Sequence, residues 1–509
     1  MKVLIIGAGP VGLTLARLLS QVKVSTTVLE RQSTLSTHPS AHFLHSSSME
    51  VFHQLGISSK IREQVKPLDH WRHFVYCSHL AGTVYRKHDH YSTARALKQQ
   101  TLTRHPSTNI PQHRLLKILG EDLPSDIEVE LEREFLSLKQ GDSGIQVKCL
   151  NGEVYEADYL VACDGAGSRV RGVLDIPLEG DPNLQSFLNV HFYSKSLGEI
   201  AKQNPAMLYF VYNEDIVNVL VMHDADEGEF ILQLPFYPSL QRPSDYSNSE
   251  LCEMINRTAS PTTNLTDVKI SSVKLWRMSA RYSLNMQKGR VFLAGDAAHQ
   301  LSPAGGFGLN TGVGDAYNLY WKFAYPELLP TYSQERTLRT KYIIEASGQN
   351  YKKTVDIAKA FGLDLNYAKG FQTFAEWMPL GNVWFNYGMK LGQKVLLKDS
   401  NAKEYLAHEE NLLQLLYPKE DLEYSYPQGF FAKGGGALAP NLKVSLEERQ
   451  VDFRELPKSV LEKQNKPLFV HLEGQKKAEL PRHPVYTLPS PNTSSYVIRP
   501  DATLYSQTK

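Results

Sequence analysis

Paired cysteines are missing from this chain. Cys77, Cys149, Cys163 and Cys252 are scattered over 509 residues and never form C-x-x-C. That argues against a structural zinc site or a disulfide framework and fits a reducing compartment. A block of one charge sign is missing too. Lys and Arg number 55, Asp and Glu 54, and the net charge is +1. Neither nucleic acid nor an anionic membrane is therefore expected as a partner. No apolar run reaches the roughly 18 residues of a spanning helix. The first strand-like run starts at Val3, which leaves no room for a cleavable presequence; the expected location is cytoplasmic, with a soluble organelle lumen as the alternative. What is present is a hydrophobic content of 42% against 21% charged, enough for a sizeable core. At about 100–200 residues per domain, the length predicts two to four domains.

The chain is organised around its first turn. Val3-Leu4-Ile5-Ile6 reads as a buried strand, Gly7-Ala8-Gly9-Pro10-Val11-Gly12 has G-x-G-x-x-G spacing, and Leu13 to Leu19 is helical material. Strand, glycine turn and helix in that order form the context a dinucleotide fingerprint needs. Gly7 permits the tight turn, Gly9 lets backbone approach a pyrophosphate, and Gly12 lets the helix pack near the strand. The pyrophosphate then meets free amides at the positive end of the helix dipole. A second strand, Thr26 to Leu29, ends at Glu30, whose carboxylate can accept hydrogen bonds from a ribose.

Two later stretches repeat the pattern of a strand ending in a polar turn. Tyr159-Leu160-Val161-Ala162 runs into Cys163-Asp164-Gly165-Ala166-Gly167-Ser168-Arg169-Val170-Arg171. Val291 to Ala294 runs into Gly295-Asp296, then a loop from Ser302 to Gly312 rich in glycine, with a long helix expected from about Val313 to Phe323. A carboxylate ending such a strand can hold a ribityl hydroxyl, and a glycine loop can press amides against a flat ring. Between these blocks, residues 180–275 hold short β-rich runs that predict an inserted mixed or antiparallel sheet. Residues 87–108 read as polar loop. His38, His42, His45 and His53 have no interleaved acid or cysteine, and metal binding is not expected of them.

Together these motifs resemble the flavin-dependent aromatic hydroxylases of the p-hydroxybenzoate hydroxylase and phenol hydroxylase group, over roughly residues 1–345. The resemblance rests on GAGPVG at the start, CDGAGSRVR at 163–171 and GRVFLAGDAAHQLSPAGGFGLNTG at 289–312. It implies an α/β fold: a discontinuous Rossmann-like FAD-binding domain (1–178 and 276–360, with 70–100 contributing to the substrate sheet) and an inserted mixed β-sheet substrate domain (179–275). A helical connecting region (361–432) and a degenerate thioredoxin-like end (433–509) would follow. FAD would lie along Gly7, Gly9, Pro10, Val11, Gly12, Glu30, Arg31, Asp164, Gly165, Arg169, Gly295 and Asp296. Gly306 and Gly308 belong to the flavin loop, the Leu309 and Asn310 amides would lie near the ring, Gln112 would face the cofactor, and Pro303 would sit beside the reacting edge. The implied reaction uses NAD(P)H and O2 to hydroxylate an aromatic, phenol-like substrate through a flavin C4a-hydroperoxide. One departure is Ser40-Ala41, where the family often has a basic residue reaching the pyrophosphate; Arg31 or Arg169 would have to compensate. A lost charge-assisted hydrogen bond is worth about 1.5–3 kcal/mol.

The substrate side is less determined. Tyr209, Tyr212, His191, His223, Arg281 and Tyr282 are candidates by type for stabilising a phenolate, and none stands out by spacing. The alternatives are an FAD-dependent reductase or halogenase on the same fold, or a non-catalytic flavin scaffold. The tryptophan-halogenase motif is absent, the nearest context being Trp276-Arg277-Met278. Residues 367–397, rich in aromatics, predict helical core rather than membrane contact. Residues 433–440 read as a linker, and Tyr496 to Asp501 resembles the closing strand of the thioredoxin-like tail. A homodimer is one expectation for the oligomeric state.

Overall fold

A computed structural model describes residues 1–363, 370, 372–373, 375–376, 397, 399–424, 443–446, 449–452, 469–473, 485–489, 496–499, 501 and 504–507. Four apolar strand runs, Lys2–Ile6, Ser25–Leu29, Tyr159–Ala162 and Val291–Leu293, lie side by side in parallel within a six-stranded sheet. Their β-branched and leucine side chains suit burial on both faces, as parallel sheets require. The outer strands are Ile127–Glu130 at one edge and Gln287–Lys288 at the other. The helix Pro10–Gln21 buries Leu13, Leu15, Leu18 and Leu19 against this sheet. A three-stranded antiparallel sheet, Phe135–Gln140, Ile145–Cys149 and Val154–Ala157, fills the connection before Tyr159.

The second layer is an eight-stranded mixed sheet. Its long central pair, Leu178–Tyr193 and Lys269–Ser283, is antiparallel, and Glu229–Phe236, Val217–Asp224 and Leu208–Tyr212 extend it. His73–Cys77 and Val84–Asp89 complete the far edge. At the near edge, Tyr282 pairs with His299 and Ser283 N–H donates to Ala298 O at 2.8 Å. The sheet is thus hydrogen-bonded to the chain leaving Gly295-Asp296.

Three local expectations are corrected. Residues 94–102 are helix, not loop: Ala94–Leu102 is built of strong helix formers, and the Thr93 hydroxyl accepts from Ala96 N–H. The late helix is Phe307–Leu319, six residues earlier than expected, followed by a 3₁₀ turn at Tyr320–Ala324. Its glycines are kept despite poor propensity because a Cβ on Gly312 would stand 2.5 Å from Val11 Cγ2. The strand Lys269–Ser283 also runs unbroken through 275/276, where the sequence places a domain boundary. The aromatic residues Phe371, Phe374, Trp377, Met378, Trp384, Phe385, Tyr387 and Met389 and the stretch 433–440 lie outside the described residues. Of the end of the chain, strands Val485–Pro489, Phe469–Glu473, Tyr496–Ile498 and Leu504–Gln507 form one mixed sheet in that order.

Close approach at the first turn gives a test of this packing. A Cβ on Gly12 would fall 2.1 Å from the Gly7 carbonyl oxygen. Overpacking of this kind costs about 1–3 kcal/mol, more than the helix propensity of about 1 kcal/mol that alanine returns. Gly12→Ala is therefore expected to lower the urea midpoint rather than raise it.

Candidate functional site

Parallel register brings the three motifs to one edge. Ile6 aligns with Leu29 and with Ala162, and Ala162 with Leu293. The residues that follow, Gly7, Glu30, Cys163-Asp164 and Ala294-Gly295-Asp296, therefore leave the sheet together at the carboxyl ends of the strands, where ligands bind in open α/β sheets. Gly7, at φ 106°, lies so close to the second turn that a Cβ would meet Cys163 O at 2.4 Å. Val11 is wedged between Gly295 and Gly312. Pro10 opens the first helix at a position needing no donor, and the Val11 and Gly12 amides have no intrahelical acceptor.

A groove of about 650 Å³ runs along this edge. Gly7, Gly9, Glu30, Arg31, Asp164 and Arg169 line one wall; His38, His191, Ser272 and Lys274 line the other. Both Glu30 carboxylate oxygens accept backbone amides, Ala8 N–H at 2.9 Å and Gln32 N–H at 3.0 Å, which fixes the group's orientation. Asp164 Oδ2 accepts from Val170 N–H at 3.2 Å, while its Oδ1 is buried with no hydrogen-bond partner among the described residues. Burial raises the pKa of this carboxyl, against the hydrogen bonds from Ser168 and nearby amides that lower it. An orphaned carboxylate oxygen calls for a hydroxyl donor. Open space above Gly9, Gly165, Gly167 and Gly308 leaves room for a ligand against the backbone. These features fit FAD, with sugar hydroxyls on Glu30 and Asp164 and phosphates at the Pro10–Gln21 helix terminus.

The glycine loop is held from below. Asp315 is fully buried, and its Oδ2 accepts from Gly295 N–H at 2.9 Å and from His299 Nε2 at 2.7 Å. Its Oδ1 accepts from Arg336 Nε at 2.7 Å. Burial alone would raise the Asp315 pKa, but His299 and Arg336 carry it below the usual carboxyl range. The sequence reading missed this triad; its one signal is a single charged residue within the otherwise uncharged helix Phe307–Leu319. The amides of Phe307, Gly308 and Leu309 occupy the first helical positions, free of intrahelical acceptors. Asn310 works through its side chain: Oδ1 accepts from His45 N–H and Ser48 Oγ–H, both at 2.7 Å, and Nδ2 donates to Phe43 O at 2.8 Å. Pro303 and Asp296 are exposed beside the loop. Gln112 Oε1 accepts from Ala41 N–H at 3.3 Å, tying the segment after Ser40 to the helix Gln112–Gly120.

The remaining candidates are dispersed. Tyr209 donates to Asn204 O at 2.9 Å inside the second core, and Tyr212 stacks on Phe361 with centroids 4.2 Å apart. His191 faces Glu229 Oε1 at 3.2 Å, and Glu229 also takes Arg114 at 3.0 Å. His223 is buried with neither ring nitrogen partnered among the described residues, and burial sets its pKa well below the ordinary value. Arg281 and Tyr282 pair with Gln300 and His299 in the sheet. The four early histidines take separate partners: His38 with Ser272, His42 with Asn109, His45 with Gly305 O and His53 with Ser58. Among the described residues no group of three His, Cys, Asp or Glu converges on a metal position.

Residues 1–347 match the family model described as FAD binding domain. The chain is 28% identical over 380 residues to 2,4-dichlorophenol 6-monooxygenase of Cupriavidus pinatubonensis, a match covering 71% of this chain and 63% of that protein. It therefore spans less than two thirds of that relative's length. It is 31% identical over 353 residues to dialkyldecalin synthase of Streptomyces rugosporus, covering 66% of this chain and 69% of that one. The flavin-dependent monooxygenase PieE, solved in complex with FAD and substrate, shares the fold with a TM-score of 0.80 at 22% identity, covering 100% of this chain and 96% of that one.

Two variants test the site. Asp315→Asn leaves Arg336 and His299 without their buried counter-charge, which costs about 3–5 kcal/mol. Because the folded-state pKa of Asp315 is lowered, its stabilisation is complete above the unfolded value of about 3.9 and is lost as pH falls below it. The variant should therefore show a smaller loss of stability than the wild type as pH falls below about 4, followed by thermal unfolding. Arg169 is held by Glu134 at 2.7 Å, whereas Arg31 lines the groove with no acidic partner among the described residues. Arg31→Ala is expected to weaken FAD binding about tenfold or more, while Arg169→Ala has the smaller effect, both read by flavin fluorescence titration.

Proposed function

Because the chain belongs to the FAD binding domain family, we propose that it is a monooxygenase that uses NAD(P)H and O2 to hydroxylate an aromatic, phenol-like small molecule. The observation that carries this reading is the junction of the two sheets. The eight-stranded sheet is hydrogen-bonded, at Ser283 and Tyr282, to the chain that leaves Gly295-Asp296, so its face becomes a wall beside the glycine loop. Phe43, against Gly306, begins an aromatic layer that continues through Trp71, Phe74, Tyr76, Phe210 and Tyr212. This layer is packed core behind the loop and keeps water away from it.

When bound, FAD supplies the redox and oxygen chemistry; the protein supplies position and a dry enclosure. Glu30, Asp164 and Asp296 would hold sugar hydroxyls, the first helix would receive the phosphates, the Phe307, Gly308 and Leu309 amides would serve the ring, and Pro303 would stand beside its reacting edge. NAD(P)H enters along the groove, which continues past the FAD wall to His38, Ser272 and Lys274. No described helix is long and apolar enough to cross a membrane; the proposed location is the cytosol.

Stopped-flow reduction of the FAD-loaded protein by NADPH and NADH, across a panel of phenols and quinones, tests this. One ligand class should sharply accelerate reduction, and its product should carry one oxygen atom from labelled O2. Reduction without oxygen insertion would favour a reductase, halide-dependent turnover a halogenase, and uniformly slow reduction a scaffold.

A further inference from the structure

The residues just after the strand Tyr496–Ile498 reach into the FAD-binding half of the molecule. Arg499 forms a fork on Glu335, Nη1 to Oε1 at 3.2 Å and Nη2 to Oε2 at 3.1 Å, and Nη2 also reaches Asp501 Oδ2 at 2.8 Å. Its guanidinium lies 4.9 Å from the Trp321 ring centroid. The side chains of Arg499, Glu335 and Lys322 are all fully buried. Glu335 Oε2 also accepts from Asn318 at 2.7 Å and Lys322 at 3.0 Å, so two acids and two bases balance in one enclosed cluster. Buried ion clusters stabilise less than apolar packing would, but they tolerate little displacement, since a lost partner strands a charge.

Glu335 stands next to Arg336, the base of the Asp315 triad. One turn earlier on the same helix, Thr331–Ala360, the Tyr332 hydroxyl donates to Leu293 O at 2.8 Å, at the end of the strand that leads into Gly295-Asp296. A single stretch, residues 332 to 336, thus grips that strand end, the Gly295 amide through Asp315, and the loop helix through Asn318. Its other side is held by a residue 164 positions further along the chain.

We propose that Arg499 is a positioning residue for the FAD site: the end of the chain clamps Glu335, fixes the start of the helix Thr331–Ala360, and so sets the Gly295-Asp296 loop against the cofactor. The inference rests on the FAD reading but not on any substrate. Lys322, whose pKa is lowered to about 8 by burial, with Glu335 opposing and Arg499 adding to the shift, reports the cluster independently.

The test uses the full-length protein with Arg499→Met and Arg499→Lys, measuring FAD affinity and the visible flavin spectrum well below each variant's unfolding midpoint. Arg499→Met is expected to weaken FAD binding about tenfold and to combine with Asp315→Asn less than additively. Arg499→Lys, which keeps the charge and loses the fork, should recover part of the affinity. Unchanged FAD affinity and spectrum with a lowered unfolding midpoint would overturn the proposal, leaving a purely structural ion cluster. If the methionine variant does not fold, the lysine variant decides: wild-type FAD affinity in it overturns the clamp. A wild-type protein that takes up no FAD would overturn the cofactor reading itself, a result distinct from a variant-specific loss.

Discussion

The buried carboxylate of Asp315 is the constraint on which the site depends. A glycine loop that presents amides to a ligand has few side chains with which to hold its own shape. Here the holding is done from inside, by one carboxylate that accepts a loop amide, an imidazole and a guanidinium. Each donor comes from a different segment: Gly295 from the end of a parallel strand, His299 from the edge of the second sheet, Arg336 from the long helix. Removing the carboxylate from water is costly unless every lone pair finds a donor. Full satisfaction makes the arrangement all-or-none, and three parts of the fold are then placed relative to one another by the same group.

That common origin explains why the two sheets can share a site. The parallel sheet delivers Gly7, Glu30, Asp164 and Gly295 to one edge by register alone. The second sheet gets there through hydrogen bonds at Ser283 and Tyr282 to the segment containing His299. The helix Phe307–Leu319 begins where these meet, with Gly306 in the left-handed region at φ 68° as its N-cap. Its amides therefore point into a junction rather than into open solvent.

What could be read in the sequence was what is local. The strand, glycine turn and helix at residues 3–19, and the strands ending at Asp164 and Asp296, carry their signal within a dozen residues, and the motifs that carry the family resemblance are the same ones. The start of the loop helix was not legible, because Gly308, Gly312 and Gly314 lower its helix propensity; Gly312 and Gly314 are tolerated because Val11 and Arg336 leave no room for larger residues, while Gly308 faces open space. The triad of Asp315, His299 and Arg336 joins residues 16 and 21 positions apart on separate elements, and the Arg499 fork spans far more; no periodicity announces such pairs. Ser40 was legible as a departure from the family, but only the structure separates Arg31, which has no acidic partner among the described residues, from Arg169, which is committed to Glu134.

The eight-stranded sheet beside the glycine loop has its own electrostatic logic. Burial pushes the phenol groups of Tyr76 and Tyr212 up, and that of Tyr209 on the opposite face of the sheet likewise, so each stays protonated. The same burial pushes His42, His45 and His223 down, so these imidazoles stay neutral. Charge is instead gathered at Glu229, itself buried, which His191, His113 and Arg114 keep ionised in spite of its burial. A sheet face whose buried acid is paired in this way excludes water without stranding an ion. Tyr76 and Tyr212, held protonated, do not serve as bases at neutral pH, so for the proposed phenolic substrate proton removal falls to another group or to solvent.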